Sequence, residues 1–95
     1  MEKTILERIK CYWEERSDDF SRQSFAEMQN EKYDLWSKEL KQIIGDRTAL
    51  QILDVGTGSG YMALLLARVG HLVTGIDLCD NMIASAIDLC NKLNL

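Results

Sequence analysis

Apolar residues recur at helical spacing through the first half of the chain and in short blocks through the second. Ile5, Ile9, Tyr12 and Trp13 stand at i, i+4, i+7 and i+8 with Glu7, Lys10 and Glu14 between them, which predicts an amphipathic helix over residues 3–16. Residues 17–29 are polar and read as irregular, although Phe20, Phe25 and Met28 are more apolar than a solvated linker needs. Asn30 is a capping residue ahead of a second helical pattern, in which Tyr33, Trp36, Leu40, Ile43 and Ile44 share one face and Gly45-Asp46 ends the run. Leu50 to Val55 is then a block of strand length that runs into glycines at 56, 58 and 60. A helix is expected from near Ser59 to Val69, with Gly70 at its C′ position, and His71 to Ile76 is a second strand block closed by Asp77. Met82, Ala86, Leu89 and Leu93 form a last helical stripe. The pattern is α/β: an N-terminal helical extension over residues 1–48, then a βαβα unit of a nucleotide-binding parallel sheet over residues 49–95. Both strand blocks are of the Val/Ile/Leu-rich type expected for strands buried on both faces.

Composition narrows the setting. The chain has 95 residues, 46% of them hydrophobic and 27% charged, an ordinary globular balance. The net charge of −4 and the scatter of lysines and arginines among acids leave no basic stripe, so neither nucleic acid nor an anionic membrane surface is an expected partner. The longest apolar run, Tyr61 to Ala67, is far shorter than a bilayer span, and the start Met-Glu-Lys-Thr has no secretory core. Cytoplasmic localisation is expected, and the three cysteines, Cys11, Cys79 and Cys90, form no C-x-x-C pair and read as small buried or half-buried thiols. His71, the one histidine, reads as a strand-start residue near the surface, which makes a histidine-based catalytic pair or metal site an unattractive reading.

The candidate chemistry lies in Asp54-Val55-Gly56-Thr57-Gly58-Ser59-Gly60. Glycine permits positive φ and lets the backbone come within contact distance of a ligand. The spacing is not the G-x-G-x-x-G of dinucleotide sites: where the third glycine of that fingerprint would fall stands Tyr61, which would obstruct close helix packing and a pyrophosphate. Asp77 ends the second strand about 20 residues after the first glycine, a position from which a carboxylate accepts hydrogen bonds from the ribose hydroxyls of an adenosine.

The acid-x-G-x-G-x-G form resembles motif I of class I S-adenosylmethionine-dependent methyltransferases, whose cofactor carries a sulfonium and an amino acid end instead of a diphosphate. Residues 75–86, Gly-Ile-Asp-Leu-Cys-Asp-Asn-Met-Ile-Ala-Ser-Ala, resemble the G-x-D-x-S-x-x-M-x-x-x-A segment of small-molecule enzymes in that class, with Cys79 in place of the serine. Tyr12-Trp13-Glu14-Glu15-Arg16-Ser17-Asp18-Asp19-Phe20 resembles the Y-W-x-x-R-A-x-x-Y opening of type-11-like members, with Ser17 for Ala and Phe20 for Tyr. The resemblance implies S-adenosylmethionine as cofactor, held by Asp54, Gly56, Thr57, Gly58, Gly60 and Asp77. It also implies that Leu78 and Met82 pack on the adenine and that the N-terminal helices lie over the ligand.

The family sheet has seven strands, of which two are visible here. The expectation is therefore the cofactor-binding, N-terminal half of a methyltransferase acting on a small molecule, inactive alone, with no catalytic residue assignable. Two free strand edges further imply self-association or pairing with a missing C-terminal half. Two other readings stay open: a non-catalytic adenosine-ligand binder or assembly module and, more remotely, part of a nicotinamide-dependent oxidoreductase.

Overall fold

A capping box opens the first helix: the N–H of Glu7 donates to Thr4 Oγ1 at 3.1 Å, and the N–H of Thr4 donates to Glu7 Oε2 at 3.0 Å. In the computed structural model, which describes residues 2–95, this helix (α1) spans Ile5–Glu27. The stretch expected to be irregular, residues 17–29, is therefore helical as far as Glu27. The physical reason is a packing face made of small polar residues. Ser17 and Ser24 are only 4% and 5% exposed and Ser21 is half-buried, at i, i+4 and i+7. Ser17 and Ser21 return their hydroxyls to their own helix, to Glu14 O at 3.0 Å and to Ser17 O at 2.6 Å, so burial leaves them satisfied. With such short side chains α1 lies close against the last helix, α4 (Asp80–Lys92).

Asn30 caps α2 (Glu31–Ile44) as expected, Oδ1 accepting the N–H of Lys32 at 2.9 Å, and the N–H of Gly45 closes the helix onto Lys41 O at 2.8 Å. The expected apolar face of α2 is only partly used. Tyr33, Leu40 and Ile44 are half-buried, whereas Trp36 and Ile43 remain exposed.

The two blocks of the second half form β1 (Gln51–Val55) and β2 (Leu72–Ile76), paired in parallel with Gln51 opposite Leu72 and Val55 opposite Ile76. Between them α3 (Tyr61–Arg68) packs on β2, starting two residues later than Ser59, with Gly60 as its N-cap in the left-handed region. Met28, Leu64 and Leu89 form a buried cluster that joins α3 and α4 to the residue closing α1, flanked by Tyr33, Tyr61, Cys90 and Leu93. The architecture is α/β, an incomplete Rossmann-like unit.

The strands differ from the expectation of burial on both faces. Ile52, Asp54 and Val73 are half-buried, while the opposite face leaves Leu53 61%, Val55 72%, Leu72 64% and Ile76 46% exposed. Among the described residues each strand has one neighbour, so each keeps an unpaired edge. His71, expected near the surface, is 7% exposed: its Nδ1 accepts the N–H of Leu50 at 3.1 Å, which ties the starts of the two strands together. A strand-start position is outward-facing only where no partner strand needs its ring. Among the described residues no helix is long and apolar enough to cross a membrane.

Candidate cofactor site

The three loop glycines adopt φ of 73°, 58° and 85° at Gly56, Gly58 and Gly60, so the alternate glycines of the sequence are alternate left-handed residues of one turn. That conformation turns most of the loop N–H groups inward. Those of Gly56 and Thr57 both donate to Ile76 O, at 2.8 and 2.9 Å, that of Gly60 donates to Thr57 O at 2.9 Å, and that of Gly58 donates to Asp77 Oδ2 at 2.8 Å. Four of the five loop amides are thus already spent within the protein, one of them on a carboxylate.

Asp77 follows β2 and is held from two sides. Oδ2 takes the loop amide of Gly58, and Oδ1 takes the N–H of Cys79, the N-cap residue of α4, at 2.8 Å. Each oxygen keeps a further lone pair for a ligand. Asp54, half-buried near the end of β1, accepts the hydroxyl of Thr57 through Oδ2 at 2.8 Å.

A cleft of about 350 Å³ opens over this framework, lined by Gly56, Gly58, Asp77, Leu78 and Met82 on one side and by Ile9, Trp13 and Phe20 of α1 on the other. Phe20 lies against the loop, its Cε1 3.2 Å from where a Cβ on Gly58 would stand, and its ring meets that of Trp13 edge-on with centroids 6.0 Å apart. A latch behind the loop joins the same two elements, where the buried hydroxyls of Ser24 and Ser59 hydrogen-bond each other.

Of the eight residues read as cofactor-binding, the structure brings Gly56, Gly58, Asp77, Leu78 and Met82 to the cleft. Asp54, Thr57 and Gly60 are not among its lining. Gly60 serves as the helix cap, and both the N–H and the hydroxyl of Thr57 are bonded within the protein. Ile9 belongs to the cleft and was legible only as one apolar position of an amphipathic helix. Tyr61 packs beside Met28, Leu64 and Leu89, where its hydroxyl is buried without a partner among the described residues. Burial pushes its phenol above the ordinary value. A larger groove, of about 530 Å³, lies between α2 and α3 and contains none of the loop residues; Leu40, Ile44, Leu66 and Val69 make it mainly aliphatic.

Residues 52–95 match the family model described as a methyltransferase domain. A protein of Geobacillus sp. (strain WCH70) named as a methyltransferase is 49% identical over 63 residues, 62% of this chain and 25% of that protein. Demethylmenaquinone methyltransferase of Tropheryma whipplei (strain Twist) is 33% identical over 57 residues, 60% of this chain and 24% of that protein. An S-adenosyl-L-methionine-dependent Diels-Alderase of Talaromyces variabilis is 42% identical over 45 residues, 47% of this chain and 15% of that protein. The chain spans about a quarter or less of the length of these relatives.

Proposed function

We propose, from the premise that through residues 52–95 this chain belongs to the class I S-adenosylmethionine-dependent methyltransferases, that its cleft holds S-adenosylmethionine for methyl transfer to a small molecule. The observation that carries the cofactor reading is the state of the loop amides. A diphosphate needs several free N–H groups at the helix N-terminus. Here four of the five amides of the loop leading to that terminus are spent, and the amide of Gly58 already holds the carboxylate of Asp77, which would repel a phosphate beside it. A ligand that brings hydroxyl donors and a cationic end suits two carboxylates better than an anion does.

The residues present fit such a ligand. The two free lone pairs of Asp77 accept ribose hydroxyls, Leu78 and Met82 offer an apolar wall to the adenine, and the carboxylate of Asp54 attracts the ammonium of the amino acid end. Gly56 and Gly58 let the loop backbone approach, and Ile9, Trp13 and Phe20 cover the ligand from α1 and keep water from it. When bound, the cofactor supplies an electrophilic methyl group on sulfur. The contribution of these residues is binding and orientation, which is how rate is gained when two reactants must be aligned. A small-molecule acceptor is supported by the likeness of residues 75–86 to the corresponding segment of small-molecule enzymes. The similarity to a protein named demethylmenaquinone methyltransferase supports it as well.

Calorimetric titration with S-adenosylhomocysteine and with NADH tests the assignment. Binding of the first and not the second is expected; preference for NADH would overturn it. A second reading is supported by the similarity to a Diels-Alderase: the protein binds the cofactor and transfers no methyl group. Cofactor binding by the complete protein, without passage of label from methyl-labelled S-adenosylmethionine to any acceptor in a broad panel, is the outcome that would favour it.

A further inference from the structure

Gly75 stands opposite Asp54 in the parallel pair, and its φ is outside the left-handed region, so its backbone does not require glycine. Space does. A Cβ at position 75 would lie 2.7 Å from Thr57 Oγ1 and 2.9 Å from both Thr57 Cβ and Cγ2, separations that real Cβ atoms do not show. Thr57 cannot withdraw easily. Its N–H is bonded to Ile76 O at 2.9 Å, its carbonyl receives Gly60 N–H at 2.9 Å, and its hydroxyl donates to Asp54 Oδ2 at 2.8 Å. The side chain is therefore set down on the bare backbone of β2 with its hydroxyl aimed at one oxygen of Asp54.

We propose that Thr57 is a positioning residue for Asp54, seated by Gly75, and that it leaves the second carboxylate oxygen, Oδ1, for the ammonium of the amino acid end of the ligand. The proposal rests on the cofactor reading above. It gives the hydroxyl of Thr57 a role without ligand contact, and it gives Gly75 a reason to be glycine that its own conformation lacks. Rotation of an unheld Asp54 about χ1 and χ2 would spread the carboxylate over several positions, and ordering it on binding would then cost conformational entropy. Asp54 stands outside the cleft's lining, two residues before Gly56, so on that reading only the amino acid end of the ligand reaches it and the effect is confined to that end.

The test is a pair of titrations on the full chain. One uses S-adenosylhomocysteine, and the other uses 5′-deoxy-5′-methylthioadenosine, which keeps the adenosine and the thioether and lacks the amino acid end. Thr57→Val keeps the shape and removes the donor; it should weaken S-adenosylhomocysteine about tenfold and the truncated compound less than about twofold, the size expected for one hydrogen bond to a charged group. Thr57→Ser keeps the donor and should restore binding of S-adenosylhomocysteine to within about twofold of the unsubstituted chain. Gly75→Ala should reproduce the selective loss; if it does not fold, the valine and serine variants decide alone. Equal weakening of both compounds by Thr57→Val would make Thr57 a merely structural staple of the turn and overturn the proposal, as would no weakening of either or failure of serine to rescue. Absence of binding of either compound to the unsubstituted chain is a different result: it overturns the cofactor reading itself, and the proposal with it.

Discussion

Replacing Asp77 removes two bonds that the structure gives to one carboxylate, and the two consequences can be measured apart. Gly58 N–H and Cys79 N–H each donate to it at 2.8 Å, which joins the glycine loop to the start of α4. A hydrogen bond to a charged group contributes roughly 1.5 to 3 kcal/mol net, and for a half-buried carboxylate the lower end applies, so Asp77→Ala should cost about 3 kcal/mol of folding stability. For a domain of this size each kcal/mol moves the melting temperature by roughly 4 to 8 °C, which makes the loss large in a thermal scan. Asp77→Asn keeps one acceptor and turns an amide NH₂ toward the other N–H, so it should cost about half as much. Affinity for S-adenosylhomocysteine should fall as well, and a ligand pair shows why. The loss should be large for 5′-deoxy-5′-methylthioadenosine and small for its 2′,3′-dideoxy counterpart, which has no hydroxyl for Asp77 to hold. A variant that melts lower while binding both compounds as the unsubstituted chain does would refute the ribose role and leave Asp77 a clamp. An unchanged melting temperature would refute the bonds themselves.

Three other substitutions or conditions have signed outcomes. Tyr61→Phe removes a buried hydroxyl that has no partner among the described residues and should stabilise the chain by about 1 kcal/mol in urea denaturation, whereas destabilisation would mean the hydroxyl is satisfied. Glu27 is held below its ordinary 4.5, first by the hydrogen bond from Gln23 and then by that from Lys32. A depressed carboxyl contributes stability above its unfolded value that is lost as pH falls through the folded one, so the difference in stability between the unsubstituted chain and Glu27→Gln should shrink below about pH 4.5; a difference unchanged down to pH 3 would refute the coupling. The bare sheet face of Leu53, Val55, Leu72 and Ile76, with an open edge on each strand, should make the 95-residue chain self-associate in light scattering, and a monodisperse monomer with a sharp melt would show the edges to be protected.

How much of this was legible before folding depends on how far apart in the chain the deciding partners lie. Strand, glycine turn and helix were readable at residues 50–69, and so were the cap at Asn30, the stops at Gly45 and Gly70, and the two acids near the strand ends, because each follows from backbone conformation or periodicity within a few residues. The capping box of Thr4 and Glu7, which marks where α1 starts, is as local but was not read from the sequence. The length of α1 was not readable. Its C-terminal half carries the buried or half-buried Ser17, Ser21 and Ser24, α1 packs on α4, and Ser24 bonds Ser59 of the loop; an apolar-periodicity argument is blind to a face built from small hydroxyls.

The site divides in the same way. Sequence spacing brought Gly56, Gly58 and Asp77 together as candidates, but not the fact that Asp77 would accept the amide of Gly58, 19 positions away, and so close the loop to an anion. Burial of His71 depends on Leu50, 21 positions away, and the latch of Ser24 depends on Ser59, 35 positions away. The crowding of Thr57 over Gly75 exists only once β1 and β2 are in register. Local dihedral preference and hydrophobic period act over one or two turns of chain, so they determined the elements and their order. Which side chains meet, which amides are left free and which face stays bare were decided by close packing between elements, where one methyl group or one lone pair settles the fit.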